Sequence, residues 1–166
     1  MAIILVGGGN RSGKSRHALQ LSRGRGSRLA FIATAEPLDN EMRERVRLHQ
    51  QERSQEFTTI EEPVALSTAI ERHAAEFDVI VVDCLTLWLS NIMSSDIDAL
   101  TSKLIEASLA CAAHVIFVTN EVGCSIIPEN ALARRFRDEA GRLNQRVSDA
   151  ASEVYWMVFG CALRVK

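Results

Sequence analysis

Apolar residues in this chain come in short continuous runs, and amphipathic segments separate them. Four runs are predicted as strands, at residues 2–6, 29–33, 77–83 and 114–120, with a shorter strand at residues 57–60. Continuous hydrophobicity is typical of strands that are covered on both faces in a parallel sheet. Apolar positions at helical spacing predict helices at residues 14–21, 40–53, 63–74, 85–93, 96–111 and 128–151. This alternation predicts an α/β sandwich, with a mostly parallel sheet and helices on both faces.

The end of the chain follows a different pattern. Residues 154–159 and 162–165 are predicted as two closing strands around a tight turn at Gly160. A connection this short joins antiparallel neighbours, so we expect a C-terminal antiparallel pair. The sequence shows no internal repeat, low-complexity segment or linker. We therefore expect residues 1–166 to form a single domain.

The first predicted strand runs into a glycine-rich motif of the form G-x-x-x-x-G-K-S. The motif consists of Gly8, Gly9, Asn10, Arg11, Ser12, Gly13, Lys14 and Ser15. Glycines let successive backbone N–H groups curl around a phosphate, and the following helix points its positive end at the same group. The lysine is expected to reach the β- and γ-phosphates, and the serine hydroxyl to bind Mg²⁺. The motif predicts nucleoside triphosphate binding and a three-layer sandwich of the P-loop NTPase type.

A second candidate metal ligand ends the clearest apolar run. Asp83 follows four apolar residues at 79–82. The carboxyl ends of strands in such a sheet face the P-loop, so this carboxylate is expected to hold Mg²⁺ directly or through water. Together, Ser15 and Asp83 are the predicted metal ligands. A polar residue that merely marks the end of a strand is the alternative interpretation.

His49 is a candidate catalytic residue in a charged helical segment. It continues the apolar stripe formed by Met42 and Val46, and it is therefore expected to face inward. A lone histidine on a helix is usually structural. Here arginines flank it, at positions 45, 47 and 53, so a neutral imidazole acting as a nucleophile toward phosphorus is the alternative. For His17, the pattern leaves open whether the ring faces phosphate or the sheet.

Charge and cysteine usage exclude several classes of protein. The formal net charge is −2, so there is no overall basic field for nucleic acid, and no nucleic-acid partner is expected. Three of the four cysteines lie in or beside apolar runs and are expected to be buried, without a disulfide framework. No apolar run approaches membrane-spanning length, and no signal peptide is recognised. A cytoplasmic location is expected. The chain also lacks the N-K-x-D box of signalling GTPases.

Four blocks of sequence resemble one enzyme family. They comprise residues 8–18; residues 32–35, 39–42 and 45–53; residues 82–86 with Asn91; and residues 119–123, 128–130, 134, 136–138, 140–142 and 144–145. The most specific block joins Asn120-Glu121-Val122-Gly123 to the later Gly-Arg-x-Asn-Gln segment at 141–145. In these blocks the chain resembles the bifunctional adenosylcobinamide kinases/adenosylcobinamide-phosphate guanylyltransferases of cobalamin biosynthesis.

The resemblance implies a two-step activity. A nucleoside triphosphate, GTP or alternatively ATP, would phosphorylate the aminopropanol hydroxyl of adenosylcobinamide. The enzyme would then take GMP from GTP as a covalent guanylyl-histidine, release pyrophosphate, and pass the GMP to adenosylcobinamide phosphate. His49 occupies the position of the guanylylated histidine, and Lys14 is the expected catalytic lysine. The resemblance also implies a homotrimer.

The resemblance further implies a wider set of nucleotide-binding residues. Besides the P-loop, these are Thr34, Ala35, Glu36, Gln50, Gln51, Glu52, Arg53, Glu61 and Asp83. The choice between Glu61 and Glu62 stays open. The chain departs from some members of the family by having Leu48 in place of a second histidine before His49, and Asp83 in place of a glutamate.

Other functions remain compatible with the motifs. A small-molecule P-loop kinase would use Lys14, Ser15 and Asp83 and would leave His49 structural. A nucleotide-binding regulatory protein would show no turnover. A nucleic-acid-dependent ATPase is disfavoured by the net charge. Covalent labelling and phosphorylation of a corrinoid separate these alternatives.

Overall fold

The computed structural model describes residues 1–36 and 56–166. Within these ranges, strands and helices alternate as expected. The elements are β1 (Ile3–Gly8), α1 (Lys14–Arg23), β2 (Leu29–Ala33), β3 (Phe57–Glu61), α2 (Leu66–His73), β4 (Val79–Asp83), α3 (Leu85–Asn91), α4 (Ile97–Ala110), β5 (His114–Val118), α5 (Ala131–Ala150), β6 (Glu153–Val158) and β7 (Cys161–Arg164). The helix expected at residues 40–53 lies outside the described residues.

The strands form one seven-stranded sheet in the order β3-β2-β4-β5-β1-β6-β7. Strands β1 to β6 pair in parallel, and β7 runs antiparallel to β6. The predicted mostly parallel sheet with an antiparallel C-terminal pair is thus confirmed. Because β1 lies between β5 and β6, the loop that follows it opens within the carboxyl edge of the sheet, not at either end.

Helices cover the sheet on both faces, which confirms the three-layer sandwich. Successive residues of β1 belong to different apolar clusters, since side chains alternate between the faces of a strand. Ile4 packs in the cluster that contains Ala18 and Leu19 of α1. Ile3 and Leu5 pack in the opposite cluster, to which α2, α3, α4 and α5 contribute buried residues.

Three elements begin two or three residues later than the sequence pattern predicts, and side-chain hydrogen bonds explain them. The helix expected from residue 128 begins at Ala131, because Asn130 Oδ1 caps it by accepting from the N–H groups of Leu132 and Ala133. The helix expected from residue 63 begins at Leu66, because Glu62 Oε1 accepts hydrogen bonds from the backbone N–H groups of Val64 and Ala65. The strand expected from residue 77 begins at Val79. Asp78, which precedes it, instead accepts hydrogen bonds from the backbone N–H groups of Ser27 and Arg28 and from the Arg28 guanidinium.

Burial of the cysteines differs from the expectation. Cys84 and Cys111 are buried, but Cys124 and Cys161 are exposed, so only two of the three expected cysteines are buried. Cys161 begins β7, an edge strand whose four residues are all exposed. All four thiols are free, as expected. Among the residues that the structure describes, no helix combines the length and apolar character needed to cross a bilayer.

Glycine-to-alanine changes at two sites are expected to shift stability in opposite directions. Gly141 lies inside α5, and a Cβ there would meet nothing within 4 Å. Gly141→Ala should raise the free energy of unfolding by about 0.5–1 kcal/mol, because alanine loses less backbone entropy in a helix. At Gly26 a Cβ would overlap Asp78 Cβ, so Gly26→Ala should lower the free energy of unfolding by about 1–3 kcal/mol. Urea denaturation measures both; a stabilised Gly26→Ala would contradict this packing.

A cluster of titratable residues lies behind the P-loop helix. The His17 ring packs edge-on against Tyr155 of β6, with 5.1 Å between the ring centroids. His17 therefore faces the sheet, which resolves the alternative left open by the sequence. Nη2 of Arg25 donates to both carboxylate oxygens of Glu153, at 2.7 and 2.9 Å. Within the described ranges, His17 Nε2 and His114 Nδ1 are buried without a hydrogen-bond partner.

This cluster predicts that stability decreases in acid. Burial lowers the pKa of His17, with Arg25 contributing, and burial is also the main cause of the lowered pKa of His114. The unfolded chain therefore binds more protons than the folded chain below about pH 6.5. The free energy of unfolding should fall as the pH is lowered through that value. Urea denaturation between about pH 8 and 5.5 measures it.

A histidine variant tests whether His17 contributes to this loss of stability in acid. His17→Gln should flatten the pH dependence. A slope that His17→Gln leaves unchanged would refute the assignment to His17.

Candidate functional site

The P-loop connects β1 to α1 through a backbone that depends on glycine. Gly8 and Gly13 have φ angles of 149° and 92°, which side chains disfavour. A Cβ at Gly8 would lie 2.8 Å from the Met157 carbonyl oxygen and 2.9 Å from Ser12 Oγ. A Cβ at Gly13 would contact Gly160 at 3.6 Å. The β6–β7 hairpin therefore forms one wall of the loop, a contribution that the sequence pattern did not reveal.

Lys14 is the buried cation of the site. Its side chain is 7% exposed, and Nζ donates a 2.5 Å hydrogen bond to the Gly9 carbonyl oxygen. Burial lowers the pKa of this amine, and the charge of Asp83 opposes that shift. The ammonium is thus held over the glycine-rich loop by a carbonyl group and a nearby carboxylate. This is a suitable position for neutralising a terminal phosphate.

Ser15 and Asp83 provide the oxygen ligands expected for Mg²⁺. Ser15 is half-buried in the first turn of α1, and Asp83 is half-buried at the end of β4. No group of three metal-binding side chains occurs within residues 1–36 and 56–166. One hydroxyl and one carboxylate fit Mg²⁺, which commonly takes its other ligands from water and phosphate.

The segment after β5 lies between the P-loop strand and the strand that carries Asp83. Hydrogen bonds hold each of its first three residues. The Thr119 hydroxyl donates to Asn144 Oδ1 at 2.7 Å, the Asn120 N–H donates to the Thr86 hydroxyl at 2.8 Å, and the Glu121 N–H donates to the Gly8 carbonyl oxygen at 3.1 Å. This rigid segment borders the P-loop directly.

Thr34 holds the turn that carries Asp83. It is completely buried, and its hydroxyl exchanges two 2.8 Å hydrogen bonds with the backbone of Cys84. The Thr34 carbonyl oxygen accepts a hydrogen bond from Asn91 Nδ2, which also donates to the Pro63 carbonyl oxygen. Asn91 thus links the ends of β2 and β3 to α3. Its signal in the sequence is a polar residue at the end of an apolar helix.

The remaining predicted residues on this edge lie further from the P-loop. Ala35 is half-buried, and Glu36 and Glu61 are exposed. Glu62 caps the turn before α2 through its Oε1. The choice between Glu61 and Glu62 as nucleotide ligand stays a prediction. In the sheet register, Glu61, Ala33 and Asp83 lie in one row, so Asp83 and Glu61 are about 10 Å apart across two strand spacings.

The structure brings together part of the predicted site. The P-loop residues, Asp83 and Thr34 converge at one edge of the sheet, with Glu61 further along it. His49, Gln50, Gln51, Glu52 and Arg53 lie outside the described residues, so their positions relative to this edge stay predictions.

Comparison with solved structures supports the fold. The flagellar accessory protein FlaH from Methanocaldococcus jannaschii is 15% identical and has a TM-score of 0.56, with 99% of this chain and 78% of that chain covered. The RadB recombinase is 16% identical and has a TM-score of 0.57, with 93% and 73% covered. At these identities the similarity concerns the fold alone.

Comparison with known sequences is more specific. The chain is 39% identical over 181 residues to the bifunctional adenosylcobalamin biosynthesis protein CobU of Escherichia coli, with 99% of both chains covered. It is 41% identical to CobU of Salmonella typhimurium, again with 99% of both covered. It is 37% identical to CobP of Pseudomonas aeruginosa, with 98% and 96% covered. The family model for cobinamide kinase/cobinamide phosphate guanyltransferase matches residues 4–165, and the chain belongs to this family.

Proposed function

We propose that this protein phosphorylates adenosylcobinamide and then transfers GMP from GTP to the phosphorylated product through a guanylyl-histidine. The observation that supports the kinase step is the buried Lys14, which lies between the Gly9 carbonyl group and the charge of Asp83. Membership of the family, matched over residues 4–165, supports both the kinase step and the guanylyl transfer. The chain is proposed to act as a single domain.

In the kinase step the P-loop holds the triphosphate and Lys14 neutralises its terminal charge. The backbone N–H groups at the start of α1 point at the phosphates, and Lys14 exchanges its hydrogen bond with Gly9 for one with a phosphate oxygen. The substrate hydroxyl attacks the γ-phosphorus in line, and GDP leaves. Mg²⁺, held by Ser15 and Asp83, would supply further stabilisation of the phosphate charge.

In the guanylyl step we propose His49 as the nucleophile. A neutral imidazole nitrogen would attack the α-phosphorus of GTP and release pyrophosphate, forming a phosphoramidate. The phosphate of adenosylcobinamide phosphate would then attack the same phosphorus and free the histidine. A covalent intermediate divides one difficult transfer into two easier ones. Glu61, Glu36 and the residues at 50–53 are proposed to orient the nucleotide.

The cellular setting is also a proposal. Four free thiols are typical of a reducing compartment, so we propose that the reaction occurs in the cytoplasm. A homotrimer is proposed from the resemblance to the family. Sedimentation equilibrium would test the assembly.

A product assay tests the function. The protein is incubated with Mg²⁺, adenosylcobinamide and either GTP or ATP, and the products are separated and weighed by mass spectrometry. GTP should give adenosylcobinamide phosphate and then adenosyl-GDP-cobinamide. ATP alone should give at most the phosphate. Formation of the phosphate alone with GTP would indicate a plain P-loop kinase, and no product with nucleotide still bound would indicate a binding protein.

A further inference from the structure

Glu121 lies beside the first residue of the P-loop motif. Its backbone N–H donates a 3.1 Å hydrogen bond to the carbonyl oxygen of Gly8, the first residue of the P-loop motif. The adjacent residue, Gly9, accepts the hydrogen bond from Lys14 Nζ. Lys14 is expected to bind the terminal phosphate. Glu121 therefore borders the part of the loop that is expected to hold this phosphate.

The side chain of Glu121 is held in a defined direction. Oε1 accepts a hydrogen bond from the backbone N–H of Gly123, and a Cβ at Gly123 would lie only 2.7 Å from the same oxygen. Glycine at this position therefore leaves room for the carboxylate. Within the described ranges, the second oxygen, Oε2, makes no hydrogen bond that would compete with a substrate hydroxyl, and Glu121 is half-buried.

The segment that carries Glu121 is fixed from several directions. Asn144 of α5 accepts a hydrogen bond from the Thr119 hydroxyl and donates to the Asn120 carbonyl oxygen, while Thr86 of α3 holds the Asn120 N–H. A carboxylate on such a support keeps its position without a bound ligand, which favours catalysis by a positioned group.

We propose that Glu121 binds the attacking hydroxyl of the alcohol substrate and accepts its proton in the kinase step. This inference rests on the proposed function. The hydroxyl oxygen forms a bond to the γ-phosphorus as the bond from that phosphorus to the bridging oxygen breaks. The electron pair stays on the β-phosphate of the departing diphosphate, and the proton moves to Glu121.

Other carboxylates near this edge are less suitable. Asp83 is a proposed metal ligand, and Glu62 is engaged as the cap before α2. Glu61 ends β3, which is four strand spacings, or about 19 Å, from β1. Glu121 borders the P-loop through a direct hydrogen bond.

The test is Glu121→Gln in the full chain, with the two half-reactions measured separately. Phosphorylation of adenosylcobinamide should fall in kcat by about 10²- to 10⁴-fold, the usual contribution of a general base. The Kd for GTP and the covalent labelling of the protein by α-labelled GTP should stay within about twofold of wild type. Glu129→Gln, an exposed residue before α5, is the matched control and should retain both activities.

A second variant tests the direction of the carboxylate. Gly123→Ala should displace Oε1 and lower the kinase kcat by about tenfold or more, again without loss of GTP binding. Gly141→Ala, where a Cβ meets nothing, is its control.

Each outcome separates the inference from the proposed function. Glu121→Gln with wild-type kinase activity overturns the inference, and so does a parallel loss of kinase activity and GTP binding, because the residue would then be structural. A wild-type protein that phosphorylates no corrinoid overturns the proposed function itself.

Discussion

Replacing His49 with alanine is expected to abolish covalent labelling of the protein by GTP that carries its label on the α-phosphorus. In the proposed mechanism the imidazole forms the only bond between the chain and the GMP group, so the change removes the intermediate completely. The wild-type label should survive denaturation, resist base and be lost in acid, as expected for a phosphoramidate. Scintillation counting of the denatured, washed protein measures it.

The controls for this experiment separate the nucleophile from the nucleotide site. His73→Ala, at the end of α2, should label as wild type does. His49→Ala should still bind GTP and phosphorylate adenosylcobinamide, because the P-loop is intact. Label retained in His49→Ala would refute the assignment of the nucleophile. His17 would be a poor replacement, since its ring packs against Tyr155 with Nε2 buried.

Lys14→Ala is expected to lower the kinase kcat by at least 10²- to 10³-fold, the typical cost of removing one preorganised group that stabilises charge in the transition state. Lys14 is the buried cation over the glycine-rich loop, and its ammonium is held by the Gly9 carbonyl group. Single-turnover transfer from γ-labelled GTP to adenosylcobinamide measures the rate.

Thermal unfolding shows whether this loss is specific. Excess GTP should raise the unfolding temperature of the wild type much more than that of Lys14→Ala, since a ligand that binds the folded state stabilises it by mass action. Lys103→Ala removes an exposed lysine of α4 and should behave as wild type. Full kinase activity in Lys14→Ala would contradict the assigned role.

The fold was predictable where the sequence carries strong local signals. The continuous apolar runs that became β1, β2, β4 and β5 identified the parallel sheet, because continuous hydrophobicity is typical of strands covered on both faces. Gly13 and Lys14 marked the start of α1. The starts of α2 and β4 were missed by two or three residues, because the carboxylates of Glu62 and Asp78 form local hydrogen bonds that periodicity does not encode.

The site was predictable to the extent that it follows one contiguous motif. The P-loop was complete in the sequence, and Asp83 followed from its place at the end of a buried strand. The hydrogen bonds that hold the site in place were not predictable, because they join residues far apart in the chain. Thr34 binds the backbone of Cys84, and Thr119 binds Asn144, and neither contact leaves a local pattern.

The place of β1 in the sheet has a consequence for how the chain folds during its synthesis. This strand leaves the ribosome before the other six described strands, yet its partners are β5 and β6, of which β6 emerges more than 140 residues later. Until β6 has been made, the six residues of β1, which are all apolar or glycine, lack a neighbouring strand on at least one side. They are then open to aggregation or chaperone binding. Met157 and Gly160, which line the P-loop, also emerge more than 140 residues after β1. A nascent chain therefore carries its complete nucleotide motif long before it can use it.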